Sequence, residues 1–209
     1  NHDPVFGGWF PLNGNGELTG AAWLEEGGFL EGPIGLTNTH SVGIVRDTII
    51  AWQVKNQCLF QLWSTPLVTE TADGWLNDMY GMHVQPEHVW AALDGAQPGP
   101  LAEGNVGGGT GMICYEFKGG TGTASRRLPA KFGGYTIGAL VQANFGRRFQ
   151  LTVAGVPVGH HLIEDAVFTS GENPFRETGS LVAILATDAP LLPYQLKRLA
   201  RRGAIGMAR

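Results

Sequence analysis

The sequence predicts a single globular α+β domain, since its composition can form a core and its apolar residues follow both strand and helix periodicities. Of the 209 residues, 43% are apolar and 15% are charged, which is typical of a folded chain with a sizeable core. Short apolar runs bounded by glycine, proline or asparagine indicate strands, and apolar residues repeated every three or four positions indicate helices. A disordered or fibrous chain is therefore excluded.

The N-terminal half is expected to combine strands with two helices. Val5 to Phe10 has the composition of a strand, and the Asn-Gly steps of Leu12 to Gly20 favour a tight turn or hairpin after it. Val42 to Val54 follows a helical apolar spacing. A strand that contains one proline is expected from Phe60 to Glu70. Pro86 to Leu93, with proline in its first turn, predicts a short packing helix.

The C-terminal half is expected to contain mainly strands, followed by one helix. Ile113 to Phe117 and Tyr135 to Gly146 are apolar runs of strand length. Phe149 to Val156 is interpreted as the antiparallel partner of the second run, with the intervening Gly-Arg-Arg as the turn. Pro190 to Arg209 has leucines three and four residues apart, which predicts an amphipathic helix.

The net charge and the apolar runs exclude two classes of partner. The formal net charge is −4, whereas nucleic-acid-binding domains usually carry a basic surface, so we expect no nucleic acid. The basic pairs Arg126-Arg127 and Arg147-Arg148 are expected on solvated faces or in ion pairs. No apolar run approaches the roughly 20 residues that cross a bilayer, so no membrane partner is expected.

The cysteines and the first residues bear on cofactors and on the compartment. Cys58 and Cys114 are widely separated and lack metal-ligand spacing, so we expect reduced, buried thiols and no metal or cofactor, although a single disulfide stays open. The chain begins at Asn1-His2-Asp3-Pro4, without an initiator Met or a signal peptide. We expect a fragment that lacks its true start, from a cytoplasmic protein, with the periplasm as the alternative.

Two glycine-rich segments, Gly104 to Met112 and Lys118 to Arg126, dominate the centre of the chain. A dinucleotide-binding loop would follow a strand and open a helix, whereas the first segment precedes a predicted strand, and the Gly-Lys-Ser/Thr pattern is absent. We expect the glycines to let the main chain approach a substrate or another backbone segment, with exposed N–H groups. Gly108 and Gly109 are the candidate substrate-binding residues.

Asn144 ends the strand predicted from Tyr135, and an amide N–H₂ at that position is a good oxyanion donor. Capping of a turn is the alternative role. His40, at the start of the first predicted helix, could act as a base, but no carboxylate or nucleophile lies beside it in sequence and a structural role is favoured. Glu70 with Asp73, and Asp78 with Glu87, could be glycosidase carboxylates, although nothing in their spacing selects them.

Gly179-Ser180 stands directly before Leu181 to Ala186, a run that predicts a buried strand. If the bond between Gly179 and Ser180 were broken, Ser180 would carry a hydroxyl nucleophile and a free α-amine that can act as its base. Such a residue is the catalytic centre of an N-terminal-nucleophile hydrolase. The alternative is that Gly-Ser merely ends a loop. The preceding stretch, His160 to Phe175, is expected to be a mobile loop that delivers Ser180 to the site.

Six segments, in order along nearly the whole chain, carry a family resemblance. They are Leu12 to Gly20, Pro33 to Thr39, Gly104 to Met112, Lys118 to Arg126, Val141 to Gly146, and Ser180 with Ala186 to Pro193. These segments resemble the self-processing DmpA-type aminopeptidases, which include L-aminopeptidase/D-esterases and β-peptidyl aminopeptidases. The resemblance implies an αββα sandwich similar to the N-terminal-nucleophile hydrolases. It also implies self-cleavage, with residues 1–179 as part of an α-chain and residues 180–209 as the start of a β-chain.

The resemblance further implies a serine aminopeptidase that acts on small peptides, amides or esters and assembles as a homo-oligomer of αβ units. By this resemblance, Ser180 is the nucleophile and Asn144 the oxyanion-stabilising asparagine. Trp75 stands where we expect an active-site tyrosine, and an indole has no phenolic oxygen to accept a proton. Trp75, Gly108 and Gly109 are the expected substrate-binding residues.

The family's remaining catalytic pair, a serine and a glutamate, is expected beyond the last residue, so the chain alone should be inactive. Ser170-Gly171-Glu172 precedes the nucleophile and is not assigned that role. Two other functions stay open at this point. One is an acyltransferase of the ornithine acetyltransferase type, which normally uses threonine as its nucleophile. The other is a non-catalytic, glycine-rich ligand-binding homologue.

Overall fold

Helices and strands are both present, as the sequence predicts, in this computed structural model, which describes residues 3–164 and 179–208. In chain order the elements are β1 (Val5–Phe6), α1 (Ala21–Gly27), β2 (Phe29–Leu30), β3 (Ile34–Asn38), α2 (Val42–Lys55), β4 (Leu67–Thr71), α3 (Pro86–Asp94), β5 (Ile113–Cys114), β6 (Phe117–Lys118), β7 (Gly120–Arg127), β8 (Thr136–Asn144), β9 (Ser180–Thr187) and α4 (Pro193–Met207). Two compact units divide the chain. The first comprises Asn1–Glu70, Asp78–Pro100 and Pro190–Ala204, and the second comprises Thr71–Asn77, Leu101–Ala189 and Ile205–Arg209.

The core of the first unit lies between α2, α3 and β4. Val42, Val45 and Ile49 recur on one face of α2 and are all buried, as their spacing predicts. They form one cluster with Val68 of β4 and Val89 of α3. Strand β4 also pairs with β3, so it is held on its edge as well as on its face. The helices expected in this half are confirmed.

The first strand is shorter than the sequence predicts. It ends at Phe6, where β1 pairs antiparallel with β2. The chain then passes close to α4: a Cβ on Gly8 would lie 2.6 Å from the backbone nitrogen of Lys197 and 2.9 Å from the carbonyl oxygen of Pro193. The ladder ends because the partner strand β2 begins only at Phe29, directly after α1 and its cap residue Gly28. The expectation of a strand as far as Phe10 is therefore wrong.

An antiparallel sheet in the order β7-β8-β9 forms the second unit. The β8–β9 register runs from Ile137 opposite Thr187 to Asn144 opposite Ser180. The expected strands that end near Asn144 and begin near Ser180 are therefore confirmed, and the register brings these two residues together. Strand β9 is half-buried, with none of its residues fully buried, so the expectation of a buried strand is corrected.

The centre of the chain differs from expectation in two places. Ile113 to Phe117 is not one strand but a tight hairpin of β5 and β6, because Tyr115 and Glu116 have φ values of 51° and 60° and reverse the chain. The second glycine-rich segment forms strand β7, which pairs with β8 along its whole length, from Gly120 to Arg127.

Phe149 to Val156 is not the partner of β8, which is bonded to β7 and β9 instead. The reason lies in the basic pair before it. Arg147 and Arg148 are buried: the Arg147 guanidinium pairs with the Glu116 carboxylate at 3.4 Å, and the Arg148 guanidinium stacks on Phe117. A buried pair cannot form the exposed turn of a hairpin. The expectation of a solvated face is wrong for this pair, and that of an ion pair is confirmed for Arg147.

Candidate active site

Ser180 begins β9 at the end of the sheet where β8 finishes, opposite Asn144. Gly179 precedes it in a confined position. A Cβ on Gly179 would lie 2.7 Å from Cβ of Phe145, 2.8 Å from Cα of Phe145 and 2.9 Å from the carbonyl oxygen of Asn144. Since real Cβ atoms essentially never approach so closely, only glycine fits at this position without displacing the end of β8. The bond between Gly179 and Ser180 is thereby held against the strand that carries Asn144.

The hydroxyl oxygen of Ser180 accepts two hydrogen bonds. The side-chain nitrogen Nδ2 of Asn144 donates to Oγ at 3.0 Å, and the backbone N–H of Ala72 donates at 3.1 Å. Both donors would gain strength as negative charge develops on an oxygen at this place. The predicted site residues Gly179, Ser180 and Asn144 are therefore brought together, and Ala72 joins them.

The orientation of the Asn144 amide is fixed by its neighbours. Its Oδ1 accepts from the backbone N–H of Ile113 at 3.0 Å, and its Nδ2 donates to the carbonyl oxygen of Ala72 at 2.7 Å. A backbone N–H can only donate, so the bond from Ile113 assigns the oxygen and leaves the nitrogen to face Ser180. Asn144 is also 8% exposed, which shields these bonds from water. Its role as an oxyanion donor stays a prediction.

Ala72 is a site residue that the sequence did not reveal. It directly follows β4, and both its N–H and its carbonyl oxygen are used, towards Ser180 Oγ and Asn144 Nδ2 respectively. The contribution is made by the main chain, so no side-chain type could have indicated it. The only signal was its position at the end of a predicted strand.

The two candidate glycines pack against the sheet. Both belong to a short 3-10 helix, Gly107–Gly111. A Cβ on Gly108 would lie 2.6 Å from the side-chain oxygen of Gln142, and one on Gly109 would lie 2.5 Å from the carbonyl oxygen of Gly104. The N–H of Gly109 donates to Val106, so the exposed N–H that we expected is engaged at this residue. Substrate binding by Gly108 and Gly109 stays a prediction.

Lys118 ties this 3-10 helix to the β5–β6 hairpin. Its ammonium donates to the carbonyl oxygens of Gly109 at 3.0 Å, Met112 at 3.2 Å and Gly119 at 2.8 Å. Partial burial lowers the pKa of Lys118 below its usual value, because removal from water disfavours the charged form. Three carbonyl acceptors stabilise the ammonium in return, which gives Lys118 a structural role next to the site.

Trp75 lies on the turn that follows Asp73, three residues after Ala72, and its side chain is 68% exposed. The turn is closed by hydrogen bonds from the backbone N–H groups of Leu76 and Asn77 to the carbonyl oxygen of Asp73. An exposed indole on this turn is accessible to a ligand. Its part in substrate binding stays a prediction.

Other predicted chemistry lies elsewhere or beyond the described residues. The ring of His40 packs edge-on against Tyr80, with centroids 5.2 Å apart, in the first unit. A hydrogen bond from His83 is the main reason that the pKa of Asp78 lies below its ordinary value. Within residues 3–164 and 179–208 no cluster of three or more His, Cys, Asp or Glu side chains could hold a metal. Ser170-Gly171-Glu172, and the expected loop from residue 165 onward, fall outside those residues.

Comparison with known proteins decides the family. The sequence matches peptidase family S58 over residues 1–209. The chain belongs to this family. It is 51% identical to the β-peptidyl aminopeptidase BapA of Sphingosinicella microcystinivorans, over 99% of this chain and 54% of that protein. It is 46% identical to BapA of Sphingosinicella xenopeptidilytica, again over 99% of this chain and 54% of that protein.

Solved structures show the same likeness for this S58 chain. A β-aminopeptidase from Burkholderia sp. has a TM-score of 0.88 and 54% identity, covering 98% of this chain and 55% of the other. The L-aminopeptidase D-Ala-esterase/amidase of Ochrobactrum anthropi, described as a variant of the Ntn hydrolase fold, has a TM-score of 0.88 and 49% identity, covering 99% of this chain and 56% of the other. The expected α+β sandwich of the Ntn hydrolase type is thus confirmed.

The S58 chain spans about half the length of the relatives that it matches. Its family membership and fold follow from these comparisons, and the activity of the whole protein is a matter for proposal.

In the part of the chain that the structure describes, no helix is long and apolar enough to cross a membrane. Cys58 and Cys114 are both half-buried, which corrects the expectation of buried thiols.

Proposed function

We propose that this chain carries the nucleophile and the oxyanion donors of a self-processing serine aminopeptidase. The observation that carries the proposal is the pair of hydrogen bonds to Ser180 Oγ, from Asn144 Nδ2 at 3.0 Å and from Ala72 N–H at 3.1 Å. Both donors lie at the nucleophilic oxygen, and amide donors beside a reacting carbonyl are a usual means of stabilising the charge that develops in acyl transfer. The peptidase family and the names of its aminopeptidase members support the same class.

The first proposed step is self-cleavage. Ser180 Oγ attacks the carbonyl carbon of Gly179, the peptide nitrogen of Ser180 leaves with a proton, and the acyl group becomes an ester on Oγ. Water then hydrolyses this ester. An α-chain is released that ends at Gly179, with residues 1–179 as part of it, and a β-chain begins with residues 180–209. The close packing of Gly179 against Phe145 supports this step, because it holds the scissile bond beside Asn144.

The second proposed step is substrate hydrolysis by the new terminus. The freed α-amine of Ser180 takes the proton from Oγ as Oγ attacks the substrate carbonyl. A model α-amine has a pKa of about 7.7–8.0, so part of it is unprotonated near neutral pH and can act as a base. Asn144 stabilises the oxyanion that forms on the carbonyl oxygen, while the Ala72 N–H holds Oγ in place. The leaving amine takes up the proton, and water hydrolyses the acyl-enzyme.

We propose small peptides, amides or esters with a free N-terminal residue as substrates. The printed names of the relatives support this range, since they describe a β-peptidyl aminopeptidase and an L-aminopeptidase D-Ala-esterase/amidase. Trp75, Gly108 and Gly109 are proposed to contact the substrate, and the exposure of the Trp75 side chain supports its part. No nucleic acid and no membrane enter the proposal.

Association of the αβ units into a homo-oligomer in the cytoplasm is also proposed. Large apolar side chains on the first unit support association, since Leu62 is 100% exposed and Phe60 is 51% exposed. Light scattering of the purified protein tests the assembly. Fractionation of the producing cells tests the compartment, with the periplasm as the alternative.

Hydrolysis of aminoacyl p-nitroanilides by the complete gene product tests the proposed function. Glycyl, L-, D- and β-aminoacyl compounds should be compared, because the class predicts release of nitroaniline from at least one. We expect Ser180→Ala to abolish release, since the nucleophile is lost. Ser125→Ala is the matched control, because Ser125 is exposed on β7, and should leave turnover unchanged. Release by Ser180→Ala at the wild-type rate would contradict the proposal.

A further inference from the structure

Gln142 and Thr71 form a buried polar pair that the proposed mechanism does not use. Gln142 is 2% exposed and Thr71 is 0% exposed. Nε2 of Gln142 donates to Oγ1 of Thr71 at 2.5 Å. A buried amide or hydroxyl that lost its partner would be costly, so this bond constrains both side chains strongly.

Both members of the pair are near neighbours in sequence of the residues that contact Ser180. Gln142 precedes Asn144 by two residues on β8, and side chains two residues apart project from the same face of a strand. Thr71 is the last residue of β4 and directly precedes Ala72. Strand β8 therefore donates twice to this short stretch: Gln142 donates to Thr71 Oγ1, and Asn144 donates to the Ala72 carbonyl oxygen at 2.7 Å.

The first glycine-rich segment confines the Gln142 amide. A Cβ on Gly108 would lie 2.6 Å from Oε1, 2.7 Å from Nε2 and 3.0 Å from Cδ of Gln142. The backbone of Gly108 therefore lies directly against the amide, and a side chain at this residue would require the Gln142 amide to move. This contact explains why a glycine is present at residue 108 without reference to a ligand, and it limits the orientations that Gln142 can adopt.

We infer that Gln142 is a positioning residue, which holds Thr71 so that the following peptide aims the Ala72 N–H at Ser180 Oγ. The inference rests on the proposed function, since it assigns a task to the Ala72 N–H in acyl transfer. Ala72 has only a methyl group and cannot anchor itself through its side chain. Loss of the bond between Gln142 and Thr71 would shift the N–H that holds the attacking oxygen, so Oγ would be misplaced relative to the substrate carbonyl and kcat would fall while KM changes little.

Variants of the complete gene product test this inference. Thr71→Val removes the acceptor without changing the shape of the side chain, and Gln142→Met removes the donor at similar volume. We expect each to lower kcat and the rate of self-cleavage by between about tenfold and a hundredfold, as small misplacements in active sites do. The double variant should be no worse than either single one, because both break one bond. Thr71→Ser keeps the hydroxyl and should recover most of the lost kcat.

The matched control is Thr123→Val, because the Thr123 hydroxyl bonds to exposed Glu103 rather than to the site. It should leave kcat unchanged. Two outcomes would overturn the positioning role, because a purely structural effect on packing predicts both. One is a loss of kcat in the double variant that equals the combined losses of the single variants. The other is an equal loss of kcat in Thr71→Ser and Thr71→Val. If the wild-type protein is active and Thr71→Val and Gln142→Met both keep its kcat, the positioning role is refuted while the proposed function stands.

Hydrogen exchange at the Ala72 amide provides a readout that does not depend on activity. We expect protection of this amide in the wild type and faster exchange in Thr71→Val and Gln142→Met, with Thr123→Val resembling the wild type. If the wild-type protein is inactive but shows this exchange pattern, the proposed function is refuted and the positioning of Ala72 is still supported. Unchanged exchange at Ala72 in both site variants would overturn the inference.

Discussion

At the scale of single residues, the site depends on which atom of each polar group faces Ser180. Asn144 could be selected from the sequence because an amide at a strand end is a recognisable donor. Ala72 could not be selected, because its donor belongs to the main chain and is aimed by residues distant in sequence, such as Gln142. Side-chain type therefore predicts only those contacts to Ser180 that side chains make.

Replacement of Asn144 by aspartate tests the donor role. The variant Asn144→Asp keeps an oxygen for the Ile113 N–H but turns a second oxygen, in place of Nδ2, towards the Ala72 carbonyl oxygen and Ser180 Oγ. We expect turnover of an aminoacyl p-nitroanilide to fall by about 10²–10³, the usual effect of losing one oxyanion donor. Turnover close to that of the wild type would contradict the assignment.

A methyl group at residue 179 tests the cleavage geometry. In Gly179→Ala the new Cβ would lie 2.7 Å from Cβ of Phe145 and 2.9 Å from the Asn144 carbonyl oxygen, so the bond between residues 179 and 180 must shift. We expect the rate at which the precursor splits, followed by denaturing gel electrophoresis, to decrease. The double variant Gly179→Ala/Phe145→Gly relieves the contact with the Phe145 side chain and should recover part of the rate. A precursor with Gly179→Ala that splits as fast as the wild type would exclude this geometry.

At the scale of elements, local sequence patterns predicted the helices. The same patterns did not predict which strands pair. Helix α2 follows from apolar residues that are near in sequence, as do the bounds of β8. The partners of β8 were hard to recognise for two reasons. Strand β7 is close in sequence but rich in glycine, with a weak intrinsic preference for strand, and β9 follows more than thirty residues later. The sequence analysis instead paired β8 with the next segment along the chain, Phe149 to Val156. Burial of Arg147 and Arg148 excludes the turn that this hairpin needs.

The packing of the glycine-rich segment against β7 predicts a contrast between two substitutions. A Cβ on Gly109 would lie 2.5 Å from the Gly104 carbonyl oxygen and 2.7 Å from the Thr121 nitrogen, whereas a Cβ on Gly122 would meet nothing within 4 Å. We expect Gly109→Ala to lower the free energy of unfolding by about 1–3 kcal/mol, as overpacking does. Gly122→Ala, on the neighbouring strand β7, should be neutral. Thermal unfolding of the two variants measures the difference, and equal melting temperatures would be inconsistent with this packing.

At the scale of the whole molecule, the fold follows from the family resemblance, which several segments in the right order carried. Composition and periodicity alone predicted a mixed α+β chain and could not define the sandwich, because the order of strands depends on contacts distant in sequence. The residues around the Gly179–Ser180 bond, Ala72, Asn144, Gly179 and Ser180, all belong to the second unit. Cleavage at Gly179 would therefore leave β9 paired with β8 from Ser180 to Thr187.

The most direct test of the central claim is the mass of the chains in the purified complete gene product. We expect wild-type protein to give two chains under denaturing conditions, the second beginning at Ser180, and a single associated species under native conditions because the β8–β9 ladder persists. The variant Ser180→Ala should give one uncut chain. An uncut wild-type protein that hydrolyses aminoacyl p-nitroanilides at full rate, or a Ser180→Ala variant that is still cut at Gly179, would contradict the account.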